Sequence, residues 1–240
     1  MRRKKINLAV IFYGRADQLT ANKKQFDFLK SNLSDFNLKK YDFNAGERGK
    51  LLNNFRKKKI DVALKNSYGR GHEADIESFL EKNKIPYFGS DAKSTLVATS
   101  KFLAKRVFRR HHLPVAEDIF VDKIIWRNNK KRVLKAVVKK IGFPCLIKDC
   151  GGTDSRGIYK INGRTQVEKA LNKAVSAHAG VIIEKFISQA YEVICLAVGN
   201  INPIAYEPVA LISDQGIYTA ELKDRARIKT EIPVNLPAKL

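Results

Sequence analysis

The chain alternates short apolar runs with segments whose apolar residues recur at helical spacing. "INLAVIFYG" is apolar apart from Asn7 and ends at Gly14, the pattern of a parallel strand buried on both faces. "DQLTANKKQFDFLKSNL" follows, with Leu19, Phe26, Leu29 and Leu33 along one helical face, so the two together predict a βα unit. The alternation continues with a strand in "FNLKKYDF", a helix in "RGKLLNNFRKKK", a strand in "IDVALKN", a helix in "HEADIESFLEKN" and a short strand in "IPYFGS". Repeated βα units of this kind predict a parallel sheet covered by helices on both faces, ending near Ser90.

The texture then changes. "DAKSTLVATSKFLAKRVFRRHH" has helical spacing in one or two pieces, and "LPVAEDIFV" runs extended after Pro114. Next come a basic helix around "RNNKKRVLKAVVKK", the strand "FPCLIKD", a glycine-bearing loop and the strand "GIYKI". A helix through Val167, Ala170, Leu171 and Ala174 leads to the strand "VIIEKFI". "EVICLAVGNINPIAYEPVALI" reads as a hairpin turning at Gly199 and Asn200, because a Gly-Asn pair suits a two-residue turn. The second half is therefore expected to be α+β with antiparallel pairing.

Composition narrows this picture. Hydrophobic residues make up 44% of the 240, enough for a sizeable core, and exclude a disordered chain. The formal net charge of +22 suggests polyanionic partners. Most of the excess, however, is lysine scattered through helical segments. In the basic helix, Val133, Ala136, Val137 and Ile141 form one apolar face and leave the lysines on the solvated side. No nucleic-acid motif with interleaved aromatics accompanies the charge, so no specific nucleic-acid partner is expected. Cys145, Cys150 and Cys195 lack a CxxC spacing, and Cys145 and Cys195 sit in apolar runs as small hydrophobes. The amino-terminal basic and apolar stretch has no convincing cleavage site, and no apolar run is long enough for a bilayer. These features predict a soluble cytoplasmic protein without a membrane partner.

Two stretches carry candidate chemistry. In "KDCGGTDSRG", Gly151, Gly152 and Gly157 let backbone amides approach an anion, Thr153 and Ser155 offer hydroxyl donors, and Lys148 can neutralise charge. The loop lacks the Gly-Lys-Ser/Thr of a P-loop and is not a dinucleotide fingerprint; an ordinary hairpin loop fits it equally well. In "VIIEKFISQAYEV", a strand runs through Glu184 and Lys185 into a connector, and Glu192 opens the next apolar strand. Such a hinge can offer backbone groups to a purine edge and a carboxylate to ribose hydroxyls. Taken alone, its charges are better read as a surface pair bracketing a turn. The spacing of His72, His111, His112 and His178 fits no metal-ligand pattern, and His111 and His112 suit a helix end. Trp126, Phe12, Tyr13 and Phe28 read as packing residues.

Taken in order, "IPYFGS", the helix carrying Lys101, "HHLPVAEDIFV", "IGFPCLIKD", the glycine loop, "VIIEKFI" and Glu192 resemble the D-alanine–D-alanine ligase family of ATP-grasp enzymes. The resemblance runs through nearly the whole chain. It implies an amino-terminal parallel α/β domain over 1–92, an ATP-grasp small subdomain with linker helices over 93–185, and the start of a carboxy-terminal ATP-grasp subdomain over 186–240. It also implies ATP as cofactor, with Lys101 and Lys148 on the α- and β-phosphates and the loop Gly151, Gly152, Thr153, Gly157 closing over them. Glu184, Lys185, Phe186 and Ile187 match the adenine hinge, and Glu192 the ribose-binding acid. Ser155, Lys223 and Gln18 fall at the catalytic positions, Lys223 on the mobile loop just before "LPAKL". The implied small-molecule substrates are ATP and D-alanine or a similar amino acid, with the second substrate left open, in a possible homodimer.

Several positions depart from the family. Gln18 stands where a glutamate binds the ammonium of the first amino acid, Ser67 and Tyr68 replace a His-Gly pair, Asp154 enters the glycine loop, and Asp224 replaces a tyrosine. The Mg2+ expected for the family would be held by carboxylates in a segment beyond "LPAKL", and the chain stops at Leu240. The chain is accordingly expected to be a fragment of a ligase frame with an incomplete ATP-grasp fold. The alternatives are a non-catalytic nucleotide-binding module and a basic nucleic-acid or membrane-surface protein reusing the fold.

Overall fold

The computed structural model describes residues 5–13, 19–43, 45–66, 74–152, 157–188, 192–212 and 229–231. The chain divides into two compact units, Met1–Ala104 and Lys105–Leu240.

The first unit is the expected run of βα units: β1 (Ile6–Phe12), α1 (Leu19–Asn32), β2 (Phe36–Asp42), α2 (Ala45–Arg56), β3 (Val62–Lys65), α3 (Asp75–Lys82), β4 (Tyr87–Phe88) and α4 (Ala92–Thr99). The four strands form one parallel sheet in the order β2-β1-β3-β4. Strand β1 is central and apolar on both faces because both faces are covered. Leu8, Val10 and Phe12 pack with Phe26, Leu29 and Leu33 on the α1 side, while Ala9 and Ile11 pack with Leu51, Ile76 and Leu80 on the α2 and α3 side. Asp91 caps α4 by accepting from the Ser94 N–H at 2.6 Å.

Helix α5 (Lys101–Arg110) leads into the second unit. There, β5 (Asp118–Asp122), β6 (Cys145–Asp149), β7 (Ile158–Ile161) and β8 (Gly180–Lys185) form an antiparallel sheet in the order β5-β8-β6-β7. Helices α6 (Lys123–Ala136) and α7 (Arg164–Ala177) contribute to one core with this sheet. The basic helix begins four residues earlier than its charge pattern suggests, because the Asp122 carboxylate accepts the Ile125 N–H and caps it there; it ends in a π-helical turn over Val137–Ile141. Val133, Val137 and Ile141 are buried and the lysines between them are exposed, as the spacing predicts. Trp126 is a core residue whose Nε1–H donates to Asn172 Oδ1 at 2.9 Å.

The remaining strands are β9 (Glu192–Ile194), β10 (Ala197–Val198), β11 (Ile204–Ala205), β12 (Val209–Ile212) and β13 (Lys229–Glu231). They pair antiparallel, β13-β12-β9 and β10-β11. The hairpin differs from its expected form. Val198 pairs with Ile204, so residues 199–203 form the turn in place of Gly199 and Asn200 alone. Pro203 has no N–H to donate, so the ladder cannot continue inward past Ile204. Cys195, expected as a small core hydrophobe, is exposed, with its thiol 3.2 Å from the Tyr206 carbonyl. Cys145 is buried as expected, and burial pushes its thiol up to about 11, which keeps it protonated and inert. No helix among the described residues is long and apolar enough to cross a membrane.

Three helices close with the same backbone device. After α2, α3 and α5, residues Lys58, Lys84 and His112 take left-handed φ values of 53°, 54° and 57°. The following N–H reaches back five residues in each case: Lys59 to Asn54 O, Ile85 to Leu80 O and Leu113 to Phe108 O, all at 2.9 Å. This is the Schellman closure, which glycine adopts without steric cost. Lys84→Gly is therefore expected to raise stability by about 1 kcal/mol, the lower end of the left-handed penalty. Urea denaturation checks this, and an unchanged or lower midpoint would refute it.

Candidate functional site

The side-chain period of two sorts the antiparallel sheet into two faces. Cys145, Ile147, Val181, Ile183 and Val121 point into the core with α6 and α7. Their neighbours in register, Asp118 opposite Glu184 and Glu184 opposite Leu146, with Lys148 two residues further along β6, share the other face. That face carries a cluster of charges. The Glu184 carboxylate is buried and lies between two lysines: Lys105 Nζ is 2.7 Å from Oε2, and Lys148 Nζ bonds Oε1. Lys105 also donates to the Ala116 carbonyl at 2.9 Å and lies 3.4 Å from Asp118 Oδ1, while Arg109 pairs with the same Asp118 oxygen.

Burial alone pushes the Glu184 carboxyl upward. The Lys148 charge, the hydrogen bonds from Lys105 and Lys148, and the Lys105 charge together outweigh it and hold the group below the ordinary glutamate range. Glu184 is thus not half of a surface pair, as its local sequence suggests, but a desolvated anion that fixes two cations. Lys185 and Ile187 are exposed beyond it, and the Lys185 and Phe186 N–H groups donate to Glu117 O and Pro144 O, both at 3.2 Å.

The glycine loop grows from the end of the same β6 strand. Asp149, one residue after Lys148, faces the opposite side and closes the neck of the loop. Its N–H donates to Gly157 O at 3.2 Å, its Oδ1 accepts from the Gly151 N–H at 3.2 Å, and its Oδ2 lies 3.1 Å from His178 Nδ1. The Gly152 N–H donates to Asp149 O at 3.3 Å. Gly157 has φ 72°, and a Cβ there would lie 3.2 Å from both Asp149 Cβ and His178 Nε2. His178, expected to have a structural role, is therefore part of the loop anchor.

The structure brings Lys148, Glu184 and the ends of the glycine loop together on two adjacent strands. Lys101 opens α5 in the first unit, and Glu192 opens β9 in a different sheet of the second. Gln18, Thr153, Ser155 and Lys223 lie outside the described residues, as do Ser67, Tyr68, Asp154 and Asp224. Sequence reasoning missed Lys105, Arg109, Asp118 and Asp149. The one available signal was the one-turn spacing of Lys105 from Lys101, which is lost among the many other lysines of the chain.

A family model described as the D-ala D-ala ligase C-terminus matches residues 107–240. The chain belongs to the D-alanine–D-alanine ligase family. The D-alanine–D-alanine ligase of Acetivibrio thermocellus is 28% identical over 198 residues, covering 81% of this chain and 52% of the relative. That of Borrelia turicatae is 27% identical over 184 residues, covering 76% and 50%. The chain thus spans about half the length of the curated relatives it matches. Among solved structures, the D-alanine–D-alanine ligase of Bacillus anthracis complexed with ATP superposes with a TM-score of 0.72 at 20% identity, covering 98% of this chain and 72% of that one. The VanG D-Ala:D-Ser ligase of Enterococcus faecalis gives 0.75 at 18% identity, covering 98% and 78%. At these identities the structural likeness establishes the fold, the expected α/β and α+β architecture of the ATP-grasp ligases.

Two outcomes follow from the site's geometry. Gly157→Ala forces a Cβ into a left-handed residue against His178 and should cost about 1–2 kcal/mol in urea denaturation. Adding His178→Ala should recover only the steric part, and full recovery would show that the backbone carries no strain. Glu184, with its folded pKa depressed, adds stability that is fully present above about pH 4.3, the ordinary glutamate value, and is lost as pH falls through the lower folded value. The stability difference between wild type and Glu184→Gln should therefore shrink with acid below that point. A difference independent of pH would contradict the pairing.

Proposed function

We propose that this chain binds ATP and is part of an ATP-dependent carboxylate–amine ligase that joins D-alanine to a second small D-configured acid for peptidoglycan precursor synthesis. The observation that carries the reading is the Lys148–Glu184 pair beside the glycine loop, on the charged face of the antiparallel sheet in a member of this family. The ATP complex of the Bacillus anthracis relative supports the choice of nucleotide.

In this reading Lys101 and Lys148 neutralise the α- and β-phosphates, and Gly151, Gly152, Thr153 and Gly157 close over them by backbone donors. Glu184 to Ile187 line the adenine and Glu192 takes the ribose hydroxyls. Ser155 and Lys223 hold the transferring phosphoryl group, and Gln18 takes the ammonium of the first D-alanine. A carboxylate oxygen of that D-alanine attacks the γ-phosphorus, ADP leaves, and an acyl phosphate forms. The amine of the second residue then attacks the acyl carbon, releasing inorganic phosphate and a proton. The protein's contribution is proximity and charge neutralisation.

Magnesium would add to that neutralisation when bound. Among the described residues no group of three or more His, Cys, Asp or Glu side chains that could hold the ion comes together. The cytoplasm, where ATP is available, fits this role.

Calorimetric titration should show ATP binding that Lys148→Ala weakens by about tenfold or more, the scale of one lost charge-assisted contact. Absence of ATP binding by the wild-type chain would overturn the reading. Gln18 in place of the family's glutamate favours a second reading, a nucleotide-binding module without transfer. D-Alanine-dependent phosphate release by the complete gene product separates the two: release supports the ligase, and ATP binding without release supports the module.

A further inference from the structure

We propose that Lys105 is a positioning residue for nucleotide binding, acting through Glu184 to keep the charge of Lys148 available to phosphate. The inference rests on the reading of Lys148 as a phosphate-binding lysine. Lys105 is held at three acceptors, Glu184 Oε2 at 2.7 Å, the Ala116 carbonyl at 2.9 Å and Asp118 Oδ1 at 3.4 Å, and its side chain is only 14% exposed. It is thus fixed on the inner side of the cluster. Lys148, at 22% exposure, lies at the outer side on the strand that enters the glycine loop.

The division of charge explains why both lysines are needed. The cluster contains three cations, Lys105, Arg109 and Lys148, and two carboxylates, Asp118 and Glu184. Arg109 and Asp118 pair off, and each oxygen of Glu184 takes one lysine. The net charge is then one positive unit, displayed at Lys148. Without Lys105 the whole charge of Glu184 would fall on Lys148, the cluster would be neutral, and an incoming phosphate would have to compete with a buried carboxylate for its only partner. In a poorly solvated site that competition is costly, because the deserted carboxylate would remain desolvated and unpaired. Lys105 removes this competition by satisfying Glu184 independently of the ligand.

A purely structural ion pair would make a different prediction, because a distorted β8 strand and hinge weaken every ligand that uses them. The discriminating measurement is calorimetric affinity for ATP and for adenosine, which lacks phosphates. Lys105→Met is expected to weaken ATP by about tenfold and to leave adenosine within about twofold. Lys105→Arg, which restores the charge, should keep ATP within about threefold of wild type. In a Lys148→Ala background, Lys105→Met should add less than about a twofold loss, because its target is gone. Should Lys105→Met not fold, Lys105→Gln carries the same comparison with a donor kept and the charge removed. Equal losses for ATP and adenosine, or additive losses in the double variant, overturn the role of Lys105. An unchanged ATP affinity in Lys148→Ala alone overturns instead the reading of Lys148 beneath it.

Discussion

A carboxylate taken out of water is tolerable only if the fold supplies charge and hydrogen bonds in place of the lost solvation. Glu184 imposes this constraint on the second unit. Its two oxygens require cations from two directions, and the strand order satisfies them: β8 lies between β5 and β6, so Lys148 approaches from one side and Lys105, docked along β5 through Ala116 and Asp118, from the other. An apolar helix could not cover this face of the sheet without stranding the charges. Helices α6 and α7 contribute to the core on the other face, and the charged face carries the cations of α5 and β6 instead.

The period of two along β6 lets consecutive residues perform different tasks. Lys148 faces the charge cluster, while Asp149 turns toward α7 and closes the neck of the glycine loop through His178, Gly151 and Gly157. The loop is thereby tied to the hydrophobic core at its base. Its two ends leave β6 and β7, which pair residue for residue from Cys145 opposite Ile161 to Lys148 opposite Ile158.

Much of this was legible in the sequence, and the reasons for the rest are physical. Strands and helices followed from apolar spacing because β1 is buried on both faces and α6 and α7 on one. Lys148 and the glycines stood out as candidates because the loop's chemistry is local, whereas the burial of Glu184 contradicts its local sequence and follows from strand register. The turn at 199–203 was not, because a favourable Gly-Asn pair competes there with Pro203, whose missing donor decides the ladder. The closures at Lys58, Lys84 and His112 leave no trace, since a glycine would have announced them and none is present. Lys105 and Asp118 become meaningful only through strand register, which joins residues distant along the chain into one electrostatic unit.

That unit also clarifies the large positive charge. The formal excess of +22 is spread over solvated helix faces such as that of α6, whereas the buried cluster carries close to a single positive charge. The two act on an anionic ligand at different ranges. The surface excess draws polyanions in from solution and is screened within about 8–10 Å at physiological salt. Within the cluster, burial of the Glu184 carboxylate limits that screening, and its charges act at contact distance. The local potential at Lys148 therefore does not scale with the basicity of the chain. It depends on how two carboxylates and three cations are divided among themselves, and sharing Glu184 between Lys105 and Lys148 changes it more than any number of further surface lysines.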